Sequence, residues 1–415
     1  MPAEPAPSAL PRPPASHPGT ALLLTGGGAR AAYQVGVLEA IADLRRAAGQ
    51  GAGGNPFPII AGTSAGAINA ASLACAADDF DTGVRQLAAV WHGFRAEQVY
   101  RADALAMLRS GARWMSLLSL GWLLARWRRL RPRSLLDNTP LAALLEAQVP
   151  LSRLPMLIRR GHLQALAVTA SSYTTGEHVT FFQARPRARA WARSQRLAVR
   201  DRITHAHLLA SSAIPFVFPA AALPMGGRAA WFGDGSMRQS APIAPAIHLG
   251  AERVLVIGAG RLHEPAGAVP DTNAVPYPSV AQVAGHALSN IFLDALAVDV
   301  ERVQRVNQTL SLVPPAARHA SSLRPVELLV IAPSERLDDA AARHVHALPA
   351  PVRAMLGSLG MPAAATPDAR SAALASYLLF EAGYTRELMA LGRADALRQA
   401  DEIRRFFGWP AAAAA

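Results

Sequence analysis

The sequence predicts an α/β fold: a mostly parallel central sheet flanked by helices on both faces, with a mainly helical C-terminal extension. Short apolar runs alternate with segments of helical periodicity, the pattern of strand–helix units that stack into a parallel sheet. Two of those runs lead straight into glycine-containing turns, and each turn opens a helix pattern. At 415 residues and 51% hydrophobic composition, the chain can also bury a sizeable core.

The elements follow in order. Residues 1–19, "MPAEPAPSALPRPPASHPG", are Pro-rich and lack a basic start followed by an apolar stretch. They are read as a disordered tail and not as a signal peptide. "ALLLT" (21–25) reads as a buried strand, and Ala31, Val35, Leu38 and Ala42 then recur at helical spacing. "FPIIAG" (57–62) is a second short strand, and residues 65–77 form a helix with almost no polar face, hence a buried one. Further strands are expected at 163–169, 179–183, 229–232 and 253–258. A catalytic domain is expected over residues 20–260. Beyond it, 261–415 reads as mainly helical, with a loop at 264–278, a long helix at about 279–307 and one added strand at 326–334.

Composition bounds the setting. The 41 basic residues are all arginine, and the formal net charge is +12. Such a surface favours anionic partners, either membrane headgroups or nucleic acid. No nucleic-acid recognition motif accompanies the charge, so no nucleic-acid partner is expected. A lone cysteine, Cys75, excludes an intramolecular disulfide framework. No uncharged apolar run reaches the ~18 residues of a spanning helix. The expected location is the cytoplasm, with peripheral membrane contact.

The glycine turn Gly26-Gly27-Gly28 formally fits a dinucleotide fingerprint, Gly26-x-Gly28-x-x-Ala31. That chemistry needs an acidic residue at the end of the next strand, and none occurs between Asp43 and Asp78. A phosphate loop of the Walker type needs a lysine, which the chain lacks. "GTSAG" fits better: Gly62-Thr63-Ser64-Ala65-Gly66 is a G-x-S-x-G nucleophile elbow set between a strand and a helix, whose sharp turn exposes the serine hydroxyl. A serine nucleophile needs an oxyanion hole, and the backbone amides near Gly27 and Gly28 can supply one. It also needs a base. Asp234, after an apolar strand in "WFGDGS", is a candidate, although an Asp-Gly pair is also an ordinary turn. His248 follows it, so a Ser–Asp–His order is available. His205 and His207 read as structural, Cys75 as a packed core thiol, and His344-x-His346 as a solvated helix face. No cluster has metal-ligand spacing.

In combination these motifs resemble the patatin-like phospholipase family: G-G-G-x-R (26–30), G-T-S-A-G (62–66), "ASSAIPFVFPA" (210–220) and D-G-S (234–236), over about residues 20–260. The resemblance implies a patatin-like fold and a Ser–Asp dyad that hydrolyses lipid acyl esters without histidine, metal or cofactor. Carried onto this chain, Ser64 is the nucleophile and Asp234 the base, within a motif completed by Gly235 and Ser236. Gly26, Gly27, Gly28 and Arg30 form the oxyanion loop. Two positions depart from the pattern: Ala31 stands where Gly is frequent, and Ser240 stands before Pro242 where Asn is frequent.

Two basic stretches remain. In "RWMSLLSLGWLLARWRRLRPR" (113–133), Trp114, Leu118, Gly121 and Ala125 share a helix face, and five arginines crowd positions 126–133. This fits an interfacial helix on an anionic membrane, or equally a helix capping the active site. Residues 185–202 carry seven arginines and read as a solvated face.

Overall fold

The computed structural model describes residues 19–51, 54–101, 134–261, 277–318, 323–361 and 372–410. The expected N-terminal tail (save Gly19) and the segment 113–133 lie outside these residues.

Among the described residues ten strands build one sheet: β1 (Thr20–Leu24), β2 (Ile59–Thr63), β3 (Ala165–Ser172), β4 (His178–Ala184), β5 (Ala192–Arg193), β6 (Arg196–Arg200), β7 (Ala221–Met225), β8 (Arg228–Asp234), β9 (Arg253–Ile257) and β10 (Glu327–Ile331). Their order is β10-β9-β1-β2-β3-β4-β6-β5, with β8 beside β3 and β7 beside β8. From β10 to β3 every neighbour runs parallel. The β3–β4, β3–β8, β5–β6 and β7–β8 pairs are antiparallel.

The central strands β1, β2 and β3 are buried along their whole length because both faces of the sheet are covered. In β1, Leu22 and Leu24 join one core cluster while Ala21 and Leu23 join the other. The first face carries α1 (Ala32–Ala47), α2 (Ala65–Cys75), α3 (Phe80–His92), α4 (Thr139–Gln148) and α5 (His205–Ser211). The second is covered by α6 (Ala244–His248) and α7 (Val280–Leu312), through Ala246, Leu296, Val300 and Val303. A mixed, mostly parallel sheet between two helical layers results, as the alternating pattern predicts.

Several boundaries differ from the sequence expectation. The long helix starts where expected, at a capping box in which Ser279 and Gln282 each accept from the other's backbone amide. It runs past 307 to Leu312, because nothing breaks it before Pro314-Pro315. Part of the basic stretch 185–202 is not a plain solvated face: β6 pairs with β4 and buries Ala198. The hairpin strand β7 has no counterpart among the expected strands.

The region beyond residue 260 adds β10 parallel to β9 at the sheet edge. Its helices α8 (Leu337–His344), α9 (Ala375–Leu378) and α10 (Ala382–Arg398) pack on the first face. α10 lies against α1 so closely that a side chain at Gly36 would meet the Met389 carbonyl. The Tyr33 hydroxyl donates to Asp395 Oδ2 at 2.9 Å across the same contact.

Candidate active site

The register of β3 brings the two motifs together. Residues Ala165–Thr169 of β3 pair with β2, which stops at Thr63. Where β2 ends, β8 takes over the pairing, with Asp234 opposite Ala170. Ser64, the residue after Thr63, therefore sits beside Asp234. The Ser64 hydroxyl donates to Asp234 Oδ2 at 2.5 Å.

Ser64 holds φ 55° and ψ −132°, a backbone conformation that costs a non-glycine residue on the order of 1–3 kcal/mol. The surroundings impose it. The Ser64 amide donates to Ser211 Oγ at 2.9 Å, and the Ser211 hydroxyl in turn donates to the Thr169 carbonyl at 2.6 Å. A side chain at Gly62 would lie 2.5 Å from the Gly66 carbonyl oxygen, and one at Gly66 would lie 2.3 Å from that of Thr25. The two glycines of the elbow thus let α2 press onto β2 and β1. Thr63 Oγ1 accepts from Gln239 Nε2 at 2.8 Å, which ties the elbow to the segment following Asp234.

Asp234 is fully buried. Its Oδ1 accepts from the Ser236 amide at 2.9 Å, and its own amide donates to the Ala213 carbonyl at 2.9 Å. Desolvation raises its pKa from the ordinary 3.8 to about 6, against the opposing pull of the hydrogen bonds from Ser64 and Ser236. A carboxylate so placed is ionised at neutral pH and is a far better proton acceptor than a free aspartate. Gly235 is held by His178, whose Nε2 lies 3.1 Å from the Gly235 carbonyl. Burial lowers the His178 pKa to about 4, so at neutral pH its ring is uncharged and Nε2 is the donor.

The glycine turn follows β1. Gly28 adopts φ +56°, which favours glycine, and a side chain there would lie 2.3 Å from the Tyr377 carbonyl oxygen. Among the described residues no hydrogen bond takes up the amide of Gly27 or Gly28. Gly28 and Ser64 line one cavity of about 670 Å³. Arg30 does not line it. Its guanidinium is buried in a cage from the C-terminal region, with Nε donating to Ser376 Oγ at 2.8 Å, Nη2 bonded to Asp338, and the charge 4.0 Å from the Tyr377 ring centre.

The other sequence candidates lie elsewhere. His248 stacks on Trp191 at 4.7 Å, next to the second core cluster and across the sheet from α2. His205 bonds the Val149 carbonyl, and His207 is buried against Phe181. His344 is not a free solvated side chain: it pairs with Glu387 at 2.7 Å. Cys75 is buried, and desolvation pushes its thiol up to about 12. No group of three or more potential metal ligands occurs among the described residues.

Ser211, Gln239 and His178 went unnoticed in the sequence. Ser211 lies within the recognised "ASSAIPFVFPA" segment, which was its only signal; nothing local marks the other two.

A family model described as patatin-like phospholipase matches residues 22–247. No curated protein matches the chain. Among solved structures, the crystal structure of VipD from Legionella pneumophila aligns over 92% of this chain and 67% of its own, at 12% identity and a TM-score of 0.35. The matched 22–247 span is more than half of the chain and contains the glycine turn, the serine elbow and Asp234, and on that ground the chain belongs to the patatin-like phospholipase family.

Proposed function

We propose that this protein is a serine lipid acyl hydrolase that cleaves fatty-acyl esters of phospholipids or related lipids through a Ser64–Asp234 dyad. The observation that carries the reading is the 2.5 Å hydrogen bond from Ser64 Oγ to Asp234 Oδ2, made by a carboxylate with a raised pKa. Asp234 takes the Ser64 proton as Oγ attacks the ester carbonyl. The unengaged amides of Gly27 and Gly28 stabilise the oxyanion. Asp234 then returns the proton to the leaving alcohol, which yields an acyl-enzyme. In the second half Asp234 draws a proton from water, and the resulting attack releases the fatty acid and restores Ser64. The dyad reading is favoured over a triad because Ser64 and the Ser236 amide already engage both Asp234 oxygens, while His248 is stacked on Trp191.

Among the described residues no single helix is long and apolar enough to cross a membrane. Access to lipid is proposed to be peripheral on the basic charge of the chain, with the Arg-rich segment 113–133 meeting anionic headgroups. Labelling with a serine-reactive fluorophosphonate tests the nucleophile. The wild-type protein is expected to be labelled and to hydrolyse p-nitrophenyl esters, and Ser64→Ala to do neither. Full turnover by a folded Ser64→Ala protein would refute the proposal.

A further inference from the structure

The cavity at Ser64 does not stop there. Along α2 its floor is Ser64, Ala65, Ile68, Ser72, Cys75 and Ala76, positions that recur on one face of the helix. Three of them are Ala or Cys and two are Ser, so the groove has depth where larger residues would fill it. The facing wall is apolar and comes from α3 and α4: Leu87, Val90, Leu141, Leu144 and Leu145. Ile214, Phe218 and Phe380 also line the cavity, the last set in an aromatic cluster with Trp91 and Phe94. The far end turns polar. Arg153 donates there to the Cys75 carbonyl at 2.8 Å and to Asp78 at 2.6 Å, and Gln86 and Gln148 stand exposed beside it.

We propose that this groove is a ruler for the acyl chain and that Ser72 leaves the room that lets long chains pass. The inference rests on the hydrolase reading and adds to it a chain-length class and a residue that sets it. From Ser64 to Ala76 the helix rises about 18 Å, at about 1.5 Å per residue. An extended chain advances about 3.6 Å over three bonds, or about 1.2 Å per bond. The apolar floor therefore accepts about fourteen to sixteen carbons before the terminal methyl reaches the Arg153–Asp78 pair. A methyl pushed among charged groups gains nothing from further burial, which sets the upper limit. Ser72 lies about 12 Å from Ser64 along the helix, about ten bonds out. A phenylalanine there would block the groove at that point.

The test is a chain-length profile of p-nitrophenyl esters, butanoyl to octadecanoyl, for the wild-type and Ser72→Phe proteins. In the wild type, kcat/KM is expected to rise about two- to fourfold per methylene up to about the tetradecanoyl ester and then level off. Ser72→Phe is expected to peak near the decanoyl ester, with its hexadecanoyl-to-butanoyl ratio at least about tenfold lower. Ser72→Leu, a milder change on a strong helix former, should shift the ratio in the same direction and replaces Ser72→Phe if that variant melts early. A profile unchanged by both substitutions overturns the proposal.

A second readout needs no turnover: displacement of a fluorescent fatty-acid probe from Ser64→Ala protein by hexadecanoate, with and without Ser72→Phe. At least about tenfold weaker displacement in the double variant supports the groove, and equal displacement overturns it. If the wild-type protein hydrolyses no ester while hexadecanoate binding still depends on Ser72, the hydrolase reading fails and the chain-binding groove stands.

Discussion

Arg30 and Asp338 form a part-buried ion pair although they stand 308 positions apart in the sequence. Arg30 closes the glycine turn that flanks the Ser64 cavity, and Asp338 opens α8 of the C-terminal region. The C-terminal region thereby reaches the candidate site: Tyr377 covers Gly28, and Phe380 lines the cavity wall. Removing Asp338 strands the buried Arg30 charge, at a cost of about 3–5 kcal/mol. Asp338→Ala is expected to lose about that much in urea unfolding. The Arg30→Met/Asp338→Leu double variant, which leaves no stranded charge, should lose less than Asp338→Ala. A double variant that loses the sum of the two single changes would show that the pair is not the anchor.

The raised pKa of Asp234 has two consequences of opposite sign. In the proposed dyad the base is the carboxylate, so kcat/KM should rise with pH and level off above about 6. Stability moves the other way. Between about pH 4 and 6 the folded protein keeps a proton that the unfolded chain releases, so this residue's contribution falls as pH rises through that window. Asp234→Asn, which cannot ionise, is expected to abolish hydrolysis yet to be more stable than wild type at pH 8, by up to about 3 kcal/mol. The difference between the two proteins should vanish towards pH 4. His248→Ala should retain activity. A loss as steep as that of Asp234→Asn would reinstate a triad.

Gly27 faces Ala259, and a methyl at Gly27 would lie 2.6 Å from the Ala259 side chain. Gly27→Ala should displace the turn and lower kcat about 10²-fold with little change in KM, since in the proposed mechanism its amides act once the oxyanion has formed. Ala259→Gly removes the obstructing methyl, and in the Gly27→Ala background it should restore most of the lost kcat. No rescue would mean that the steric cause is misassigned.

Ser211 is the acceptor for the Ser64 amide. Ser211→Ala should leave that buried donor unpaired at about 1–3 kcal/mol and release the strained elbow. The expected result is a kcat lowered about tenfold or more, with a slower rate of fluorophosphonate labelling at Ser64. Unchanged labelling with only a lower melting temperature would reduce Ser211 to a structural role.

Vesicle cosedimentation tests the segment 113–133. Binding should increase with the anionic lipid fraction and weaken with salt, because each arginine near the surface contributes roughly 1 kcal/mol. Changing Arg126, Arg128, Arg129, Arg131 and Arg133 to glutamine should abolish the anionic preference while a soluble ester is still cleaved. Equal binding to neutral vesicles would assign the segment to packing.

Much of the fold was legible in the sequence because its signals are local. The apolar runs 21–24 and 59–61 announce strands covered on both faces, and Gly62-Thr63-Ser64-Ala65-Gly66 needs only a strand, a tight turn and a helix, all within a few residues. Asp234 was legible as a candidate, through the ordered motifs of the family it resembles. The tertiary structure decided what those residues meet. Ser64 reaches Asp234 across 170 positions only because β8 takes over the edge of β3 at the point where β2 ends, a matter of register between strands far apart in sequence. Ser211 beneath Ser64, His178 behind Gly235 and the Arg30 cage likewise depend on contacts between segments far apart in sequence. So does the groove floored by α2, since apolar periodicity marks a helix face as buried without saying whether another helix or an empty channel lies against it.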